Sequence, residues 1–339
     1  MTDKMNKNYG LFGAALQAAK GTAAAAPTVS FHASGDSNGL SAERTMGSIN
    51  LTKGSPTTAG SYIEEIAPKF ECTTLGFPDV LALFAYAALG KITDGGAAPT
   101  YTHAIKAGGT LPYLTIFEQK GANDAPIVTM KDAKVDSMKM SAEGVQPIAF
   151  DYTVNGCAME WTSATNWTGP EFDVSDGWFV LADAEVLFSL SSGTPVAVPV
   201  NVTLSKLEVE IANSVEGKAP LGSAAPNSQE EGGTVVTVSI EGTTTSTAMY
   251  REVMTGAPAG TSLASTVVTG SLQMTFAHSS NSNYSFTLKM PAIPWNCDAM
   301  AVSTDGGPFD LKLSTDGALD LGSGAIEIII ANGTEKYTN

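Results

Sequence analysis

A chain of 339 residues, 43% apolar and of mean hydropathy +0.06, is long enough to build two domains with cores of their own. Its 18 Lys and Arg against 34 Asp and Glu give a formal charge of −16, spread along the chain, and that sign excludes gripping nucleic acid by its phosphates. Three separated cysteines, Cys72, Cys157 and Cys297, with no CxxC pair and only three histidines, exclude a disulfide framework and a zinc site; they read as buried reduced thiols, and no metal or cofactor is expected.

Many Gly, Pro, Thr, Ser and Val residues and few helical periods predict a mostly β protein. Residues 1–45 show no sustained periodicity and read as an arm with one short strand near 29–32, in need of a neighbour. Lys4 and Lys7 ahead of 11–16 imitate a signal peptide, but Gln17 and Lys20 break the apolar run, so the segment reads as mature sequence. A first module, 46–165, follows. Extended stretches at 48–53 and 61–74 lead into a helix over 78–89, with Pro78 and Asp79 in its first turn and Gly90 as its stop. Val80, Leu81, Phe84 and Ala88 are its core-facing residues. Strands come next at 101–106, 113–119, 131–140 and 147–156, the last with Ile148, Phe150, Tyr152 and Val154 alternating with polar residues.

Residues 166–180, with Asn166, Gly169 and Pro170, read as a linker. A second module, 181–339, opens with strands at 181–190, 201–213 and 233–242. The alternation slips at Lys206, which predicts a bulge, and the polar loop over 212–233 is far longer than a hairpin needs. Ser246 or Thr247 is placed to cap a helix ending at Gly256, with Met249 and Val253 on its packed side. Strands close the chain at 267–276, 284–290, 308–315 and 325–333. Helices and late strands recur at about half the chain length, which predicts a tandem duplication: two β-sandwich or barrel modules, each with one short flanking α-helix.

Catalytic chemistry finds no footing. Residues 35–39 fit G-x-S-x-G, and Gly121-Ala122-Asn123-Asp124 matches a second block of one esterase family. The base that a serine nucleophile needs is missing, because only His32, His103 and His278 exist and Thr275 stands where an aspartate should precede His278. Glu64-Glu65 and Glu230-Glu231 are adjacent on strands and point to opposite faces. Gly322-Ser323-Gly324 leads into a strand, whereas a phosphate loop leads into a helix. The chain is expected not to be an enzyme.

Several phrases carry a resemblance. Gln17-Ala18-Ala19-Lys20-Gly21-Thr22 before Ala-rich sequence and Pro27, then Leu111-Pro112-Tyr113-Leu114-Thr115-Ile116-Phe117-Glu118, then Lys134 to Glu143, KVDSMKMSAE, with Leu204 to Glu210, LSKLEVE, in the second half, resemble the major tail tube proteins of long, non-contractile-tailed bacteriophages, the siphophages. The resemblance implies a structural virion protein of duplicated-module type, assembled in the host cytoplasm into homotrimeric, pseudo-hexameric rings that stack into the tail tube. Its implied partners are further copies of itself, the tape measure protein inside the tube, tail terminator and tail-tip proteins, and double-stranded DNA passing without specific contact; no membrane insertion is implied. Four strands from each of six modules make 24, which at ~4.8 Å spacing and a tilt near 40° close a ring roughly 48 Å across.

On that reading the acidity, otherwise a matter of solubility, also keeps DNA from sticking to the channel wall. The lumen-facing candidates are Asp136, Asp151, Glu208, Glu210 and Glu241. Inter-ring contacts are expected from the 212–233 loop, at Ser214, Val215, Glu216, Gly217 and Lys218 and at Gln229, Glu230 and Glu231, and from the N-terminal arm. The alternative is a β-sandwich fibre, adhesin or decoration protein of a phage or cell surface, using exposed aromatics among Trp161, Trp167, Trp178 and Trp295.

Overall fold

The computed structural model describes residues 10–35, 37–49, 60–121, 125–163, 166–172, 177–301, 306–322 and 324–337, with the side chains of 181–183 excepted. The fold is mostly β, with two helices among the described residues. The first half runs β1 (Gly10–Leu16), β2 (Val29–Phe31), β3 (Gly39–Ile49), β4 (Gly60–Leu75), α1 (Pro78–Leu89), β5 (Gly90–Ala97), β6 (Thr100–Ala107), β7 (Leu114–Lys120), β8 (Ile127–Glu143), β9 (Ala149–Asn155) and β10 (Ala158–Trp161). The second runs β11 (Phe179–Ser189), β12 (Val196–Ala197), β13 (Val202–Ala212), β14 (Glu216–Lys218), β15 (Ser228–Glu230), β16 (Val235–Thr244), α2 (Ala248–Thr255), β17 (Thr269–His278), β18 (Ser285–Pro294), β19 (Asn296–Cys297), β20 (Phe309–Thr315) and β21 (Glu327–Asn332).

Two large antiparallel sheets organise these strands. In the first, the 17-residue β8 is the hub. Its N-terminal part pairs with β7 and β10, and β7 leads on to β1 and β2. A register shift between Val135 and Ser137 then turns its C-terminal part between β9 and β13. That part centres an eight-strand array in the order β3-β4-β9-β8-β13-β16-β20-β19. The second sheet runs β12-β11-β17-β18-β21-β6-β5. Equivalent elements of the two halves thus take equivalent places: β3-β4-β9-β8 is answered by β13-β16-β20-β19, and the hairpin β5-β6 by β17-β18. The bulge predicted at Lys206 is present, between Leu204 and Lys206.

One hydrophobic core spans both halves. Strands cross the middle of the chain in both sheets, β8 to β13 and β21 to β6, so residues 46–165 and 181–339 do not keep separate cores. α1 differs from the flanking helix expected. Ten of its 12 residues are buried, and its sequence is apolar all round, the mark of an enclosed helix. Phe84 stacks on Tyr152 at 4.2 Å and meets Phe31 edge-on. Gly90 ends the helix in the left-handed region at φ +84°, where a Cβ would lie 2.6 Å from the Thr110 carbonyl oxygen. α2, with Met249 alone fully buried, does sit at the periphery and stops at Gly256, also left-handed.

The N-terminal segment also departs from expectation. Its neighbour is its own chain: β1 pairs with β7 along its whole length and sends Phe12 and Ala14 into the core. Its small residues, Gly10, Gly13, Ala14 and Ala15, hid the alternation. The linker is likewise held where it is described. Trp167 donates its indole N–H to Ser30 Oγ at 3.0 Å, and Phe172 packs edge-on against Phe77.

Candidate assembly surface

The eight-strand array has one dry and one wet face, as period-two alternation requires. Phe70, Cys72, Met138, Met140, Phe150, Tyr152, Val209, Ile211, Ile240 and Leu313 lie on the dry side and are buried. Cross-strand register carries the wet face without interruption from one half into the other. Thr73 lies opposite Asp151, Asp151 opposite Lys139, Lys139 opposite Glu210, and Glu210 opposite Thr237; two rows along, Glu143 faces Lys206, Lys206 faces Glu241, and Glu241 faces Lys312.

Charge on this face is uneven. Carboxylates come from Glu43, Glu71, Glu143, Asp151, Glu208, Glu210, Glu241 and Asp310, and cations from Lys69, Lys139, Lys206 and Lys312. Every one of these lysines is already in an ion pair. Lys69 holds Glu71, Lys139 and Lys206 each reach Glu208 at 3.1 Å, and Lys312 reaches Glu241 at 3.6 Å. Partial burial opposes the Glu208 charge, but hydrogen bonds from the two lysines outweigh it and hold the carboxyl below its ordinary value. Glu43, Glu143, Asp151, Glu210 and Asp310 have no ion-pair partner among the described residues, so the face is net negative; Asp151 accepts the Thr73 hydroxyl.

Four of the five expected lumen acids, Asp151, Glu208, Glu210 and Glu241, therefore share one surface. Asp136 does not join them. It sits in the β8 bulge, where its carboxylate accepts the Val215 N–H at 2.7 Å and its carbonyl the Asn213 N–H at 2.8 Å. Asn213, fully buried, donates to the carbonyls of Ala88 at 2.9 Å and Val135 at 3.0 Å and accepts from Thr234. It joins α1, β8 and the chain beyond β13. Nothing in its local sequence marked it, because its three partners are distant in the chain.

The 212–233 loop folds back over the first half of the same chain. Val215 and Gln229 are buried, Gln229 donates to the Gly156 carbonyl at 2.7 Å, and the Ile66 N–H donates to the Ala224 carbonyl at 2.8 Å. Glu231 forms an ion pair with the buried Lys134, whose ammonium also lies 4.7 Å from the centre of the Tyr113 ring. Of the residues expected to contact a second ring, Val215, Gln229 and Glu231 are thus engaged within the chain. Glu216, Gly217, Lys218 and Glu230, on the small ribbon β14-β15, are exposed.

The array ends in two unlike margins. At one, β3 pairs only with β4 among the described residues, and beyond the register shift at Thr45 the hairpin exposes Met46, Ile49, Tyr62 and Ile63. At the other, among the described residues, β20 is covered where β19 meets Leu313 and Ser314 and where the Asp298 N–H donates to the Lys312 carbonyl at 3.1 Å. Unpaired strand edges present rows of N–H and C=O groups that another strand can complete.

The residues weighed for catalysis are scattered. Ser37 Oγ accepts the Thr73 N–H, and Asp36, Ala122, Asn123, Asp124 and Ser323 lie outside the described residues. His103 is enclosed, with Nδ1 2.7 Å from Asp94 and Nε2 2.9 Å from the Thr334 carbonyl. Cys72, Cys157 and Cys297 are buried free thiols, and burial pushes Cys72 up to about 12. Among the described residues no His, Cys, Asp and Glu cluster is arranged to hold a metal ion, and no helix is long and apolar enough to cross a membrane. Trp161 is exposed, Trp167 and Trp178 are half-buried, and Trp295 is buried. Neither a family model nor a curated protein sequence matches the chain.

Proposed function

We propose that this chain is a structural subunit that closes its eight-strand sheet against further copies of itself to make a hollow cylinder, the tail tube of a long-tailed, non-contractile phage. The observation that carries this reading is a sheet of eight strands, dry on one side and net negative on the other, with backbone edges left open at both margins among the described residues. Closure around a ring removes the edges and fixes the subunit number. Three chains supply 24 strands, the number that a ring roughly 48 Å across requires. With the wet face inward, its unpaired carboxylates repel phosphates, and screening confines that effect to within ~8 Å of the wall at physiological salt. The duplex slides without binding. The tape measure protein occupies the lumen before DNA does, and terminator and tip proteins close the two ends.

Negative-stain images of the purified chain, with a mass per ring, test this. Stacked rings of three chains are the expected result; a protein that stays a solitary particle at every concentration sinks it. Exposed Trp161 favours the alternative of a fibre or decoration protein, which the same images separate by the absence of a central hole.

A further inference from the structure

The chain contains its own template for the contact between copies. Inside the molecule, β13 of the second half pairs with β8 of the first, and the segment that follows, Asn213 to Val215, plugs the place where the C-terminal end of α1, the β8 bulge and the end of β9 meet. Asn155, at the end of β9, completes this seal by donating to the Val215 carbonyl at 3.1 Å.

The second half has the same place, and among the described residues it stands open. Its elements correspond one for one: α2 for α1, β19 for β8, β20 for β9. The sequence repeats there as well, with Val135-Asp136-Ser137-Met138 answered by Cys297-Asp298-Ala299-Met300. Val135 pairs with Val154 and Cys297 with Leu313, while Val154 and Leu313 pair in turn with Phe70 and Ile240 at matching positions of β4 and β16. Asp298 is therefore the counterpart of Asp136, but it is exposed. Beside it lies a cleft of about 420 Å³, lined by Val253 and Met254 of α2, by Val268 and Trp295, and by Asp316 beyond β20.

The counterpart of the plug is equally identifiable. Glu65 stands as far ahead of Pro78 as Val235 stands ahead of Ala248. Thr45, paired with Glu65, thus answers Ala212, paired with Val235, and Met46 answers Asn213. Asn213 is fully buried, whereas Met46 is 57% exposed at the free margin of β3. Among the described residues, an exposed apolar side chain and an open cleft of mixed lining, with Val253, Met254, Val268 and Trp295 beside Thr266, Asn296 and Asp316, lie at the two opposite ends of one sheet.

Resting on the ring reading above, we propose that the β3-β4 hairpin of one copy docks on the next copy's second half. Met46 enters the cleft between α2 and β19, and Asp298 accepts backbone N–H groups from the incoming β3 margin, as Asp136 does from Asn213 and Val215 within the chain. The open margin of the sheet runs directly into this cleft, so strand pairing and side-chain docking form a single interface.

A Met46→Cys/Asn296→Cys double variant of the full chain tests the contact. The two positions sit at opposite margins of the sheet, so a disulfide between them joins different copies. With Cys297, which also lines the cleft, replaced by Ser in every variant, mild oxidation is expected to give covalent dimers and trimers on a non-reducing gel, absent from either single variant. Ala264→Trp, which fills the cleft from an exposed position, is expected to raise the concentration needed for assembly about tenfold or more with unchanged monomer melting; tenfold is 1.4 kcal/mol. If wild type forms rings while the double variant gives no covalent multimer and Ala264→Trp assembles normally, the docking site is wrong and the ring reading stands. If wild type forms no rings and no covalent multimer appears, both fall.

Discussion

The two halves of this molecule place matching elements in matching order but finish them differently. In the first half the helix is enclosed, and the pocket beside it is plugged by Asn213 and latched by Asp136. In the second half the helix lies at the periphery, and the corresponding pocket and aspartate face solvent. The difference teaches that a repeated design need not be repeated in stability. The internal junction is completed by the polypeptide itself, whereas its counterpart has no segment of the same chain among the described residues to complete it.

The comparison can be broken most forcefully at the helices. Phe84 and Met254 hold the same position in α1 and α2. Phe84→Ala removes a buried ring stacked on Tyr152 and is expected to cost about 3–5 kcal/mol in urea unfolding. Met254→Ala is expected to cost about 1 kcal/mol or less in the isolated chain, because its site is half open. Equal losses would mean that the second half is as firmly packed as the first.

Next in size is the plug. Asn213→Leu leaves the Ala88 and Val135 carbonyls without their donors, at a cost on the order of 3 kcal/mol, read by the same denaturation. The latch comes third. Asp136→Ala deprives the Val215 N–H of its acceptor and is expected to cost about 1–2 kcal/mol, while Asp298→Ala stays within about 0.5 kcal/mol of wild type as a monomer and shows its effect only in assembly. A stability loss at Asp298 equal to that at Asp136 would remove the contrast.

The smallest effect is the dependence on pH. Glu71 lies below its ordinary value of 4.5 chiefly through the Lys69 hydrogen bond, and Glu208 and Glu231 do so because lysine hydrogen bonds outweigh burial. Groups with lowered values contribute stability above 4.5 and lose it as pH falls through their folded values. Glu118 has the opposite sign. Burial raises it despite Lys120 and the Leu40 N–H, so stability grows as pH falls through its raised value toward 4.5. Melting temperature is expected to rise slightly on the acid side of neutrality and then fall below 4.5; Glu118→Gln is expected to abolish the rise and keep the fall.

Much of this architecture was legible in the residues. The helix stops at Gly90 and Gly256, the slip at Lys206 and the alternation of β9 and β16 are local signals, and each appears where the pattern places it. The acids of the wet face followed from the same alternation, except Asp136, which a bulge turned to another task. Less legible was anything decided at long range. The small side chains of β1 mask its alternation, the burial of α1 depends on Phe31 and Tyr152 far along the chain, and the 212–233 loop grips Ile66, Gly156 and Lys134, all distant in sequence.

By itself the sequence determined that the chain is mostly β, where its helices begin and end, and which side of each regular strand is wet, because these depend on the period of side chains along a few residues. Only the tertiary structure decided which strands became neighbours, which half was sealed and which margin was left open. Backbone edges are chemically alike, and the choice among them is made by packing between residues far apart in the chain.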